Sequence, residues 1–538
     1  MQYRKPLNWV ELLDDDTRVE FLLSVTYAGT DFYFSTEPRV LLDELGRPIQ
    51  YLGGLRVQWT DALDLFNESP SLLAIPIKVV FPVNVAELVS KGHDLFRAKG
   101  ELSLWVEGRT YEERVILVRG SAVQPNYEAG NQEVSFSLES NGFEDVALTH
   151  TATERITALT FPDAHEDAFD IYYPIVFGRP GVYTTAEGTQ AVCAGSPCPV
   201  IKVTAPNRKA LICGHDIEAT EVTLINVSND PPTTVVQTIL NEQDGLGQTV
   251  KTVNLSGGIA YTVGDEIWAI WDRDGGGMLN DRRTGARIGA GELIIHFLRQ
   301  SSLEVDIGIW SSVETYLNQN YILAGYIDDA VSPWSYIKDN FLPLVPLSVF
   351  SNSEGIACSL WRREAKKHEA VAHITAGGGT KRSSKVQYEK QKIRNDIRIN
   401  YAYDGSQDRT IRNSAVVGDR EPNVAVERDL FSTEYSRASF FRYGTASSKI
   451  ETDVIYDTAT AINVLQWKHR AQALPYRVIS YNVPIRLGFL IRGDLVLLTD
   501  DELYIKEYLC IVRDIVWTDG RPRVSLVLID DPPREDRD

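Results

Sequence analysis

Between residues 18 and 140 the apolar positions recur every second residue, in short runs broken by Gly, Asn, Asp and Pro. That period places alternate side chains on opposite faces of an extended chain, so the stretch reads as a series of β-strands. Arg18–Tyr27 is followed by the turn residues 28–31 and by Phe32–Phe34, a hairpin by its turn chemistry. Leu55–Trp59, Ala74–Phe81, Leu102–Glu107, Arg114–Val123 and Glu133–Glu139 continue the series, and residues 82–91 are its one helical interruption. Many short strands with regular turns predict a barrel or a sandwich over residues 1–140.

Residues 141–285 read as a connector and an inserted β-sandwich. Val222–Val227, Thr234–Leu240, Val250–Leu255 and Glu266–Trp271 are its strands, rich in Thr and Val. The period then changes. Leu293, Ile294, Phe297 and Leu298 share one face of a helix over residues 291–300. Ser311 and Glu314 have capping-box spacing and open a second helix with Val313, Tyr316 and Leu317 inward. Ser332-Pro333 starts a third, and Val345–Phe350 with Ile356–Arg362 forms a hairpin, so residues 286–375 make a small α+β unit.

Residues 376–538 return to strands. Asp396–Tyr403 alternates, a polar excursion spans residues 404–453, and Thr458–Gln472 is a helix with Ala461, Val464, Leu465 and Trp467 as its apolar positions. Tyr476–Val483, Leu495–Thr499, Leu503–Lys506, Tyr508–Trp517 and Arg523–Leu528 follow. The last pair echoes an earlier one. Val115-Ile-Leu-Val-Arg-Gly lies over Leu509-Cys-Ile-Val-Arg-Asp, and Val134-Ser-Phe-Ser-Leu over Val524-Ser-Leu-Val-Leu. Two strands in the same order, at both ends of the chain, indicate an internal duplication. The fold class is therefore mainly β with a small α+β part: two related β-barrels, an inserted β-sandwich and an α+β domain.

Composition supports this picture and narrows the function. The chain has 538 residues, 43% hydrophobic, room for about three or four domains of ~150 residues each. A net charge of −20 argues against holding duplex nucleic acid on a basic surface. No secretory leader is visible at Met1–Trp9, and no apolar run is long enough to span a bilayer. Five cysteines do not make a disulfide framework, which places folding in a reducing cytoplasm.

Candidate chemistry is sparse. Cys193, Cys198, Cys213 and His215 supply the residue types of a zinc or iron–sulfur site, without CxxC spacing. The same residues suit a Cys193–Cys198 disulfide or free thiols. Cys358 and Cys510 lie within strand patterns and read as core residues. Asp272-Arg-Asp-Gly-Gly-Gly starts like a calcium loop but lacks the later carboxylates. Gly377-Gly-Gly-Thr-Lys381 lacks the spacing of a phosphate loop. None of the eight histidines sits in a nucleophile-elbow or metalloprotease motif, and no carboxylate pair stands out. No catalytic residue, metal site or cofactor is assigned, and the chain reads as non-enzymatic.

Leu474–Pro484 followed by Ile491–Leu498 resembles the closing segment of tail-hub proteins of tailed bacteriophages and gene transfer agents, relatives of contractile-tail baseplate hubs. Trp105–Leu138 resembles the first barrel of that family, and Tyr321–Pro333 its middle domain, where a helix follows a Ser-Pro step. The resemblance implies a homotrimer whose paired barrels form a pseudo-sixfold ring. Such a hub joins the sixfold tail tube to the threefold tip and lines the channel for DNA and the tape-measure protein. It further implies contact with the distal-tail or tail-tube ring and with central fibre or tip proteins. DNA would pass without specific binding, and contact with the host surface would be indirect. The expected location is the virion tail tip, after synthesis in the host cytoplasm. Two rival readings fit the same chain: a receptor-binding adhesin using residues 181–275, and a cell-wall hydrolase of the tail tip.

Overall fold

A strand buried on one face needs a neighbour on each edge and a cover on its apolar side, and these two demands organise the molecule. The computed structural model describes residues 18–43, 45–57, 59–62, 74–127, 132–140, 154–185, 188–191, 195–272, 280–281, 285–286, 289–300, 305–352, 355–361, 365–377, 379–384, 386–388, 393–417, 430–431, 434–518 and 521–529. The leader reading, residues 141–153 of the connector, Cys193, the start of the calcium-like loop after Asp272, and residues 418–429 of the polar excursion lie outside them.

Residues 19–140 form β1 (Val19–Tyr27), β2 (Thr30–Ser35), β3 (Arg39–Leu42), β4 (Pro48–Tyr51), β5 (Arg56–Val57), β6 (Trp59–Ala62), β7 (Ala74–Val80), β8 (Lys99–Val106), β9 (Val115–Tyr127) and β10 (Glu133–Ser140), and seven of these strands make the first sheet. β1 turns into β2 through Ala28 and Gly29, both at positive φ, the geometry that matches strand twist in a two-residue hairpin. The strand order is β2-β1-β8-β9-β10-β7-β5. The sheet curls until its edges meet. Ser35 donates to the Leu52 carbonyl (2.8 Å), and Leu55, just before β5, donates to that of Ser35 (3.0 Å). β3 and β4 form a separate hairpin over Leu22, Tyr51 and Trp105. α1 (Val85–Ser90), capped by the Asn84 side chain, follows β7.

The expected sandwich takes another form, a single sheet that closes on itself. Ser196–Pro197 pairs with Ile267–Ile270 at one edge, and Val200–Lys202, two residues on, pairs with Lys209–Cys213 at the other. The long strand Thr233–Gln243 makes this closure possible. Its first half pairs with Glu221–Asn226 and its second with Thr249–Asn254. Val222, Leu224, Val253, Ala269 and Trp271 are buried in its core.

α2 (Ala290–Gln300) forms where the 3.6-residue period predicts it and buries Leu293, Ile294, Phe297 and Leu298. α3 spans Ile307–Asn320, and its N-cap is Asp306, whose side chain accepts from Ile309 N–H. The capping box expected at Ser311 is thus inside the helix, where the Ser311 hydroxyl donates to the Gly308 carbonyl. Val313 and Leu317 are buried as expected. Ser332 caps the helix that begins at Pro333, and a π-turn over Ile337–Phe341 ends it. The hairpin Leu347–Asn352/Gly355–Leu360 follows. A four-stranded sheet centred on Asp396–Asp404, and α4 (Thr458–Gln472), pack into the same core as these helices.

The second sheet comprises β11 (Ala372–Thr375), β12 (Lys381–Arg382), β13 (Gln387–Tyr388), β14 (Arg477–Asn482), β15 (Leu495–Asp500), β16 (Ile505–Thr518) and β17 (Arg521–Leu528). Its order is β11-β15-β16-β17-β14-β12, with β13 also on β14 and β6 on β16. It is buried on both sides. Val512, Val524, Leu526 and Leu528 join the core shared with the first sheet, while Leu509, Ile511 and Val527 join that of the helices. Double burial explains the unbroken apolar runs here.

Candidate assembly site

The two sheets are copies of one plan. In the first, the chain visits β1, β5, β7, β8, β9 and β10, placed in space as β1-β8-β9-β10-β7-β5. In the second it visits β11, β12, β14, β15, β16 and β17, placed as β11-β15-β16-β17-β14-β12. The sequential and spatial orders correspond strand for strand. The connections correspond as well. A short helical turn follows β7 (α1) and β14 (Ile485–Leu487), and a 3₁₀ turn precedes β9 (Tyr111–Glu113) and β16 (Asp501–Leu503). One strand departs: β1 runs antiparallel to β8, whereas β11 runs parallel to β15.

Register tests the equivalence residue by residue. Val134 pairs with Val79 and Val524 with Tyr481. Counting on from those partners brings Phe81-Pro82 onto Val483-Pro484, the step from strand to short helix in both copies. Phe81 N–H donates to the Gln132 carbonyl (2.9 Å), and Val483 N–H to that of Pro522 (3.0 Å). The hairpins β9/β10 and β16/β17 each carry a shift at the same place, between Ser135 and Ser137 in one and at Arg513 in the other.

The superposition of Val134–Leu138 on Val524–Leu528 therefore agrees with the register. That of Val115 on Leu509 does not. Leu138 pairs with Ala122 and Leu528 with Cys510, so the counterpart of Cys510 is Ala122 and that of Leu509 is Ser121. The cause is physical: four consecutive apolar residues carry no period, so the match slides along the strand without moving an apolar side chain to a polar face.

The copies are joined in two ways. Leu102, Val118, Val134 and Leu138 of the first sheet and Ile479, Leu498, Val512 and Leu526 of the second belong to one continuous apolar cluster. β6 then leaves the first sheet after β5 and pairs with β16, Trp59 opposite Trp517 and Ala62 opposite Asp514. Sequence reading placed a strand at Leu55–Trp59 but gave no sign that the chain there changes sheets.

Charged groups are paired around this scaffold. The Glu20 carboxylate, 2% exposed, accepts a fork of hydrogen bonds from Arg39, which also lies over the Trp105 ring at 5.1 Å. Arg18 stands 3.4 Å from the same carboxylate. Arg114 and Arg119 share Glu101 (3.0 and 2.9 Å). In the second sheet the Ser525 hydroxyl donates to Asp514 (2.7 Å) and lies 2.8 Å from Ser480.

Of the residues weighed as metal ligands, Cys198, Cys213 and His215 sit in the inserted barrel, and Cys193 lies outside the described residues. Cys198 and Cys213 are buried, and burial pushes the Cys213 thiol up to about 12. That thiol lies 3.4 Å from the His215 carbonyl. His215 accepts from Val176 N–H at Nε2 (2.9 Å), leaving Nδ1 to donate to the Asp216 carbonyl (2.9 Å). Both ring nitrogens are thus engaged by backbone. Asp272 accepts from the Thr223 hydroxyl (2.6 Å). Gly377, at positive φ, closes a tight turn with Thr380. Among the described residues no three His, Cys, Asp or Glu side chains are grouped to hold a metal ion, and no helix is long and apolar enough to cross a membrane.

No protein-family model matches the chain, and no curated protein matches it in sequence. Among solved structures it is similar to bacteriophage tail proteins. The tail protein from Neisseria meningitidis MC58 is 8% identical, with 94% of this chain and 96% of that chain covered and a TM-score of 0.38. The 43 kDa tail protein of prophage MuSo2 from Shewanella oneidensis is 9% identical, over 95% and 99%, with a TM-score of 0.38. The prophage tail protein gp18 from Listeria monocytogenes EGD-e is 8% identical, over 95% and 94%, with a TM-score of 0.32.

Proposed function

We propose that the chain is a non-enzymatic structural hub of a phage tail tip or baseplate, working as a homotrimer. The observation that carries this reading is the repeated connectivity of the two sheets. Two equivalent sheets per chain, in three chains, give six similar positions around a threefold axis. A ring of that kind fits a sixfold tail tube on one side and a threefold tip on the other. The shared apolar cluster and the β6 crossing hold the two sheets as one body, as a ring segment requires.

The charge agrees with a conduit. Three chains carry three times −20, and an acidic wall repels phosphate, so DNA slides through instead of adhering. The partners of such a hub are the distal-tail or tail-tube ring, the tape-measure protein, and the fibre or tip proteins below, and its place is the virion tail tip.

Native mass measurement and low-resolution imaging of the isolated protein test the reading. A threefold ring with a six-lobed outline is expected; a compact monomer overturns it. Clearing of purified peptidoglycan by the protein would overturn the non-enzymatic part alone.

A further inference from the structure

One sheet's open edge is covered within the chain, and among the described residues the equivalent edge of the other is not. β15 parts from β16 at Gly493–Asp494, where Gly493 N–H makes its bond to the Val512 carbonyl (2.7 Å). Beyond that point the freed edge of β16, Asp514–Trp517, is taken by β6. β8 parts from β9 in the same manner. Arg97 N–H bonds the Ala122 carbonyl (2.7 Å), with Arg97 at positive φ as Gly493 is. β9 runs on through Gln124–Tyr127. β10 pairs with it on one side, and among the described residues no strand pairs with the other.

Register makes the comparison specific. Val134 faces Tyr127 and Val524 faces Ile515, so Tyr127 stands where Ile515 stands, and Asn126 where Asp514 stands. β6 covers Asp514 and Ile515 through Ala62 and Asp61. Gln124 and Asn126 are exposed, and Tyr127 is half-buried. The segment Gln124-Pro-Asn-Tyr127 carries no charge; of the devices that guard a free sheet edge it has Pro125 and the bulge beside it, which leave the donor of Tyr127 open.

We propose that the β9 edge at Gln124–Tyr127 receives a strand from a second copy of this chain, as β16 receives β6 within one copy. This rests on the ring reading above. The occupant follows from the connectivity. The strand covering β16 is the chain that leaves the first sheet just past its edge strand β5. The second sheet has matching edge strands, β12 and β13 on β14, but the described residues hold no third sheet of this plan for it to reach. In a closed ring the next sheet is the first sheet of the neighbouring copy. Strand addition of this type takes its affinity from main-chain hydrogen bonds, so it needs an unpaired edge and little side-chain specificity.

Amide hydrogen exchange on the full chain tests this, comparing the assembled form with the monomeric fraction obtained by dilution. Segment 124–127 is expected to exchange about tenfold or more slowly in the assembly. Tyr127→Pro, which removes the amide donor that points away from β10, is expected to shift the chain toward monomer with the monomer's unfolding midpoint kept. An assembly in which segment 124–127 exchanges as fast as in the monomer overturns the strand addition and leaves the ring reading standing. A chain that stays monomeric at every concentration overturns both.

Discussion

The Tyr481 hydroxyl donates a 2.6 Å hydrogen bond to the Asp500 carboxylate, although β16 and β17 lie between their strands in the sheet. Only a strongly curled sheet brings β14 and the end of β15 together in this way. Both side chains are buried, with Arg382 3.6 Å from Asp500. Asp500 also accepts from Leu503 N–H (3.3 Å) at the turn into β16. Tyr481→Phe leaves a buried carboxylate one donor short, and a bond to a charged group contributes about 1.5–3 kcal/mol. We expect a loss of that size in urea unfolding, and wild-type stability in the variant would deny the bond its role in holding the curl.

Glu20 and Arg39 form a second such device, on the first sheet. Arg39→Ala strands a carboxylate that is 2% exposed and keeps only the more distant Arg18. The expected destabilisation is about 3 kcal/mol, since removing one partner of a buried pair leaves the other uncompensated. The double variant Glu20→Gln/Arg39→Met should recover part of it. Thermal denaturation of the two variants measures the loss and its recovery.

Stability should fall in alkali. Burial holds the Cys213 thiol at about 12, against 9.0 in an unhindered chain. Between those values the unfolded chain has lost a proton that the folded chain keeps, so unfolding is favoured as pH rises through the window. The slope from this group is at most about 1.4 kcal/mol per pH unit. Tyr403 adds in the same direction, because its hydrogen bond to Asp408 raises it to about 12. Cys213→Ala should flatten the decline measured by denaturant titration from pH 8 upward. The native Cys213 thiol should also resist iodoacetamide until the chain unfolds.

Gly405 marks where the inserted barrel meets the rest of the chain. A Cβ there would lie 2.3 Å from the Trp268 ring, which also stacks edge-on with Tyr326 at 5.9 Å. Gly405→Ala must displace that ring, a strain of about 1–3 kcal/mol. The expected signature is a shifted tryptophan emission and faster proteolysis between the barrel and its neighbours, with the paired sheets intact.

Much of this molecule is written locally. The strands of the first sheet, α2, α4 and the cap at Ser332 follow from period and turn chemistry alone. What local pattern could not give is pairing between distant segments. β6 is four residues whose partner lies in the other sheet. The closure of the inserted barrel depends on one strand, Thr233–Gln243, bending enough to serve two neighbours. The α3 start was misread because Ser311 and Glu314 have the right spacing, while Asp306 is what the first turn uses. The four candidate ligands share a region of sequence, yet His215 spends both nitrogens on backbone groups that sequence does not reveal.

The position of β17 governs when the second sheet can exist at all. Arg521–Leu528 lies inside that sheet, between β16 and β14, although it is made after them. The first sheet has all its own strands by residue 140 and can form while synthesis continues. A ribosomal product lacking Arg521–Leu528 would lose an inner strand, not an edge, and with it the mate of the first sheet. Synthesis of Arg521–Leu528 thus acts as a gate on the second sheet, whereas the first sheet depends on no strand of its own beyond residue 140.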